Sequence, residues 1–140
     1  MHEDPTLFGA GRYPDGGPLA VLSRLAFLAA TAGVVIAVFL PPDMVPRFAH
    51  SHYLEHFASF YVLVLAGLAA MQRARLRRVA TGFLIFATGL EASHLAAGAP
   101  FAPLLRNWVA DIGGASAAIA PIVVERFRRR FPKTPAGRAV

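Results

Sequence analysis

Glu55, His56, Glu91, His94 and Asp111 carry the groups that could do chemistry, and all five stand in or at the edge of strongly apolar sequence. An unpaired charge is costly in such a setting, so ionisable residues there point to a site or to a buried polar network. Their spacing sorts them into pairs. His52 and His56 are related by i,i+4, Glu91 and His94 by i,i+3, and Asn107 and Asp111 by i,i+4, so three helices can each present two polar groups on one face. Imidazole and carboxylate together could exchange a proton or ligate a metal such as zinc. Arg106 could meet an anionic group or pair with Glu91 or Asp111.

The better defined versions of that chemistry are missing. The chain has no His-Glu-x-x-His, no Gly-x-Ser-x-Gly elbow, no P-loop and no cysteine. No catalytic residue, metal or cofactor is therefore assigned, and a non-enzymatic role is favoured. The candidate set is His56, Glu91, His94, Arg106, Asn107 and Asp111, a polar cluster that either binds a ligand or holds helices in register. His50 and His52 read as solvated residues of a loop.

The elements that must position this cluster are four apolar stretches, Pro18 to Leu40, Tyr53 to Met71, Val79 to Ala97 and Leu104 to Val124. Each has roughly the ~20 residues needed to cross ~30 Å of hydrocarbon. With 56% hydrophobic residues in 140, too little polar sequence remains to coat a soluble domain. A mean hydropathy of +0.51 agrees. The expected fold class is all-α, an integral membrane bundle of four transmembrane helices.

Basic residues orient the bundle. Arg12 and Arg24 lie on the N-terminal side, Arg73, Arg75, Arg77 and Arg78 in the second loop, and Arg126, Arg128, Arg129, Arg130, Lys133 and Arg138 after the last span. Only Arg47 and Arg106 remain for the opposite face, so the positive-inside rule places both termini in the cytoplasm. The first and third loops then face outward, and His56, Glu91 and Asp111 lie about one to two turns below that surface. The net charge of +6 is explained by juxtamembrane anchors, and no nucleic-acid partner is expected.

Three regions follow. Residues 1–17, acidic and rich in Pro and Gly, read as an irregular cytoplasmic arm without the basic start of a secretory signal. Residues 18–124 form the transmembrane domain. Residues 125–140 form a basic juxtamembrane tail in which the last helix continues into the interface, with Phe127 and Phe131 dipping inward. In the last helix Ala110, Gly114 and Ala118 recur at four-residue spacing, a small-residue seam for close helix packing. Ala29, Gly33 and Ala37 make a similar stripe on the first helix, so the first and last helices are expected to meet. Tyr61, Thr81 and Thr88 could bond across helices, or a threonine could return a bond to its own backbone.

Ser51-His-Tyr-Leu-Glu-His56-Phe57-Ala-Ser-Phe60-Tyr61, Glu91-Ala-Ser-His94 and Arg106-Asn107-Trp-Val-Ala-Asp111-Ile-Gly-Gly114 resemble the VanZ-like family of small bacterial membrane proteins. That family carries a His-Phe near the start of a helix, a Glu-x-x-Gln pair, and Arg followed by Asp-x-x-x-Asn-x-x-Gly. His56, Glu91, Arg106 and Gly114 carry over directly. His94 stands where the family has Gln, and the Asp and Asn of the last motif are exchanged as Asn107 and Asp111. The resemblance spans about half the chain, from the second helix into the fourth. It implies a multi-pass protein of the bacterial inner membrane with poorly defined biochemistry; the depth, mixed charge and nearness of the cluster to the outer loops are what point to binding of a lipid or cell-envelope compound. The alternative is a structural or assembly subunit of a larger membrane complex, with membrane lipids, other subunits or a second copy as partners.

Overall fold

The computed structural model describes residues 17–41 and 43–131. The proposed arm, apart from Gly17, and the end of the tail from residue 132 lie outside them. Among the described residues there are four α-helices and no strand: α1 (Pro18–Phe39), α2 (His52–Ala70), α3 (Leu76–Ala96) and α4 (Phe101–Arg128). All four are long and apolar enough to cross a membrane, so the fold is that of a multi-pass membrane protein. The four expected spans are present, with ends displaced by up to four residues.

Local chemistry sets those ends. Pro18 sits in the first turn of α1, where its missing N–H costs no intrahelical bond, and α1 stops at Leu40, whose extended backbone precedes Pro41. The α3 helix closes on Gly98 at φ 90°, with Ala99 N–H donating to His94 O at 3.0 Å and Gly98 N–H to Leu95 O at 3.0 Å. This is a Schellman closure, which needs a left-handed residue at that point. The longest helix, α4, runs 28 residues, or about 42 Å at ~1.5 Å each, and so overshoots a ~30 Å hydrocarbon layer. Its last turns carry the Glu125–Arg129 ion pair at 2.8 Å and a Phe127–Phe131 ring contact at 5.1 Å.

The two most closely packed helices are α2 and α4; α1 lies against α2, α3 lies against α4, and α2 and α3 barely touch. Gly114 explains the first contact. A Cβ there would overlap the Phe57 carbonyl oxygen and stand 3.0 Å from Tyr61 N, so only glycine lets the α2 backbone come this near. Gly114 and Ala118 are buried and Ala110 is half-buried, so the small-residue seam on α4 is a packing seam. Its partner is α2, not α1 as expected. Ala29 and Gly33 are exposed, and a Cβ on Gly33 would meet nothing within 4 Å, so the α1 stripe seats no neighbouring helix among the described residues.

One half of the interior is an apolar core of Leu63, Val64, Val79, Phe83, Ala115 and Ala118, against which Phe27, Val34 and Phe86 pack. Phe27 of α1 meets Phe83 of α3 edge-on at 6.2 Å, above Gly67 of α2, where a Cβ would collide with the Phe83 ring. Leu22, Leu25, Leu28, Ile36 and Phe39 of α1 remain exposed, as suits a helix facing lipid.

Candidate functional site

The polar residues gather at the end of the bundle that carries the α1–α2 and α3–α4 connections. Here α1 and α3 stand apart on one side of the α2–α4 pair, and the gap between them is a cavity of about 960 Å³. Part of the lining is apolar, from Gly33, Val34, Ala37 and Val38 of α1 and Leu40 just after it, with Phe60 of α2 and Leu90 of α3. The rest of the helical lining is polar: His52, Glu55, His56 and Ser59 from α2, Glu91 and His94 from α3, Asn107 and Asp111 from α4. Val45, Pro46, Arg47 and Phe48 of the α1–α2 connection border the cavity as well.

The centre of the polar wall is His56. Its Nδ1 lies 2.8 Å from Asp111 Oδ1 and 4.0 Å from Glu91 Oε1, so one imidazole links α2 to both α4 and α3. An ionised carboxylate only accepts, so against the Asp111 carboxylate it is His56 Nδ1–H that donates. Glu91 is approached from its own helix by His94, with Nδ1 3.6 Å from Oε2. Asp111 is 1% exposed, and Glu91 and Asn107 are each 7% exposed.

The network is not closed. Glu91 Oε2, Asn107 Oδ1 and Asp111 Oδ2 are buried and accept no hydrogen bond. Buried oxygens of this kind normally find a donor, because each forfeits its hydration on burial. The wall therefore holds more acceptors than its own donors serve.

Comparison with protein-family models, curated proteins and solved structures finds no match for this chain.

Five of the six candidate residues, His56, Glu91, His94, Asn107 and Asp111, line one cavity. Arg106 is the exception: it is exposed and takes no part in the cavity wall, and it pairs with neither Glu91 nor Asp111. Adjacent helix positions point about 100° apart, so a face set by Asn107 and Asp111 turns Arg106 away. That offset is the signal in the sequence that could have excluded it.

The arginine at the cavity is Arg47, which sequence periodicity could not reveal because it lies in an irregular connection. What brings that connection in is Glu55, whose Oε1 accepts from Phe48 N–H at 3.0 Å and Ala49 N–H at 3.2 Å. Glu55 thus clamps the loop onto the first turn of α2. His52, expected in the loop, is the first residue of α2; it is solvent-accessible, yet its Nδ1 lies 3.6 Å from Glu55 Oε2 and its ring meets that of His56 edge-on at 4.7 Å. On the α3–α4 side Trp108 Nε1–H donates to Thr88 Oγ1 at 3.1 Å, while the Thr88 hydroxyl donates to Leu84 O at 2.8 Å. Thr88 thus makes both of the bonds considered for it.

Proposed function

We propose that this chain is a VanZ-like protein of a bacterial inner membrane, with both termini in the cytoplasm, that holds the polar head of a lipid or cell-envelope amphiphile in the cavity between α1 and α3. The observation that carries the reading is the cavity itself, whose lining combines apolar residues between Gly33 and Leu40 with histidine, carboxylate and amide groups from α2, α3 and α4. An amphiphile matches that division: its chain lies along α1 and its head against α2, α3 and α4. Arg47 borders the cavity and supplies a cation for an anionic head group, the part first assigned to Arg106.

The test is native mass analysis of protein taken gently from its own membranes, with bound lipids identified. One recurring amphiphile is expected on the wild type and on Arg106→Ala. Arg47→Ala and the cavity-narrowing Gly33→Leu should both retain several-fold less. An identical lipid complement on all four proteins would overturn the proposal.

A second reading, as a subunit of a larger membrane complex, draws on α1. That helix contributes only Ala20 to the buried set and leaves most of its apolar surface uncovered, a face on which another chain's helix could lie. Stoichiometric copurifying chains in the same experiment would favour it.

A further inference from the structure

We propose that His56, Glu91 and Asp111 bind one first-row divalent cation, such as Zn²⁺, in the polar wall of the cavity. Each residue comes from a different helix and offers one ligand atom, and the three atoms lie within 4.8 Å of one another. Ligands about 2.1 Å from a tetrahedral zinc stand about 3.4 Å apart. The observed separations of 2.8 Å for His56 to Asp111 and 4.0 Å for His56 to Glu91 bracket that figure. The third separation, Glu91 to Asp111, is no more than 4.8 Å, and side-chain adjustments of about 0.6 Å on the two His56 distances and at most about 1.4 Å on the third would complete the triangle.

The independent observation is the surplus of buried acceptors. Asn107, 7% exposed and on the same face of α4 as Asp111, has an Oδ1 with no donor, and so do Asp111 Oδ2 and Glu91 Oε2. Two carboxylates facing one imidazole repel each other in surroundings of low dielectric, and a dication held between them removes that repulsion. One imidazole nitrogen with carboxylate oxygens suits zinc, manganese or iron(II) better than an all-oxygen ion such as calcium. Three protein ligands leave a coordination position open, as in zinc sites that engage a water or a substrate oxygen. On binding, Nδ1 gives up the proton it shares with Asp111 and the metal takes its place, while the ring carries its one proton on Nε2 and ligates as a neutral imidazole, with no change of oxidation state. The site rests on its own geometry and stands whether or not the cavity holds an amphiphile.

The test uses the full chain in detergent, stripped with chelator and titrated with Co²⁺ as a visible probe, then with Zn²⁺ in competition. Binding of one equivalent is expected, weakened at least ~100-fold in Asp111→Asn and in His56→Gln, and by roughly ten- to a hundredfold in Asn107→Ala. Arg106→Ala should bind as the wild type does. Absence of stoichiometric binding by the wild type, or binding undiminished in folded Asp111→Asn and His56→Gln, would overturn the proposal. If those variants do not fold, X-ray absorption at the zinc edge of the wild type decides. One imidazole in an otherwise oxygen shell supports the site; none, or two or more, refutes it, the latter by pointing to His50 and His52 instead. Lipid retention is read separately, so loss of the metal site and loss of the amphiphile reading give different results.

Discussion

Glu55 and Asp111 are both buried carboxylates near one end of the bundle, yet they hold different things. Glu55 accepts two backbone N–H groups from the α1–α2 connection, whereas Asp111 accepts from His56 across the α2–α4 seam. Replacing Glu55 with Ala should therefore free the loop while sparing the helices. Hydrogen exchange should show faster exchange at Phe48 and Ala49, with the middle of α2 unchanged. Asp111→Ala acts on the bundle: it leaves the half-buried His56 imidazole without its acceptor, and a loss of about 1–3 kcal/mol is expected in reversible unfolding from mixed micelles. Thr88→Val removes the acceptor of the Trp108 indole, and the same assay should register only about 0.6 kcal/mol, typical of one hydrogen bond between helices in a membrane. At this scale the pairing of polar residues on helix faces is legible in the sequence, because i,i+4 spacing is a local property of any helix. The exclusion of Arg106 follows from the same arithmetic. The arrival of Arg47 does not, since it depends on where Glu55 draws an irregular segment.

Two helices carry small-residue stripes of the same spacing, and only one seats a neighbour. On α4, Gly114 faces the α2 backbone with no room for a methyl group, while Gly33 on α1 faces open space. Gly114→Ala should destabilise the fold by about 1–3 kcal/mol, as overpacking does, whereas Gly33→Ala should lie within ~0.5 kcal/mol of the wild type. Thermal unfolding of the two variants side by side checks the contrast. Spacing shows that a stripe exists but not which face of a neighbour comes opposite. Phe57 and Tyr61 are what place α2 there, through backbone atoms that carry no signature in the sequence.

Across the whole molecule, the separation of α1 from α3 is the feature on which function turns. Edge-on packing of Phe27 on Phe83 joins the two helices in one region, where Gly67 makes room for the ring. Beyond it they part, leaving the cavity that the polar residues face. The proposed orientation puts that cavity on the outer side. Because the chain has no cysteine, single cysteines report position cleanly. With a membrane-impermeant maleimide on intact cells, Ala99→Cys should be labelled, and Ala74→Cys should react only after permeabilisation. Labelling in the opposite pattern would invert the topology.

The amino-acid sequence alone determines that this chain makes four helices long and apolar enough to span a membrane, because length and hydropathy are properties of contiguous segments. It also determines which faces of those helices carry ionisable groups, because helical periodicity is local. Tertiary structure alone decided that α4 packs on α2, that His56 reaches both Asp111 and Glu91, that Arg47 replaces Arg106 at the cavity, and that three buried oxygens accept no hydrogen bond. The reason is physical. In lipid nothing in the apolar pattern selects one helix partner over another, so pairing is left to close packing at Gly114 and to the few polar bonds made across helices.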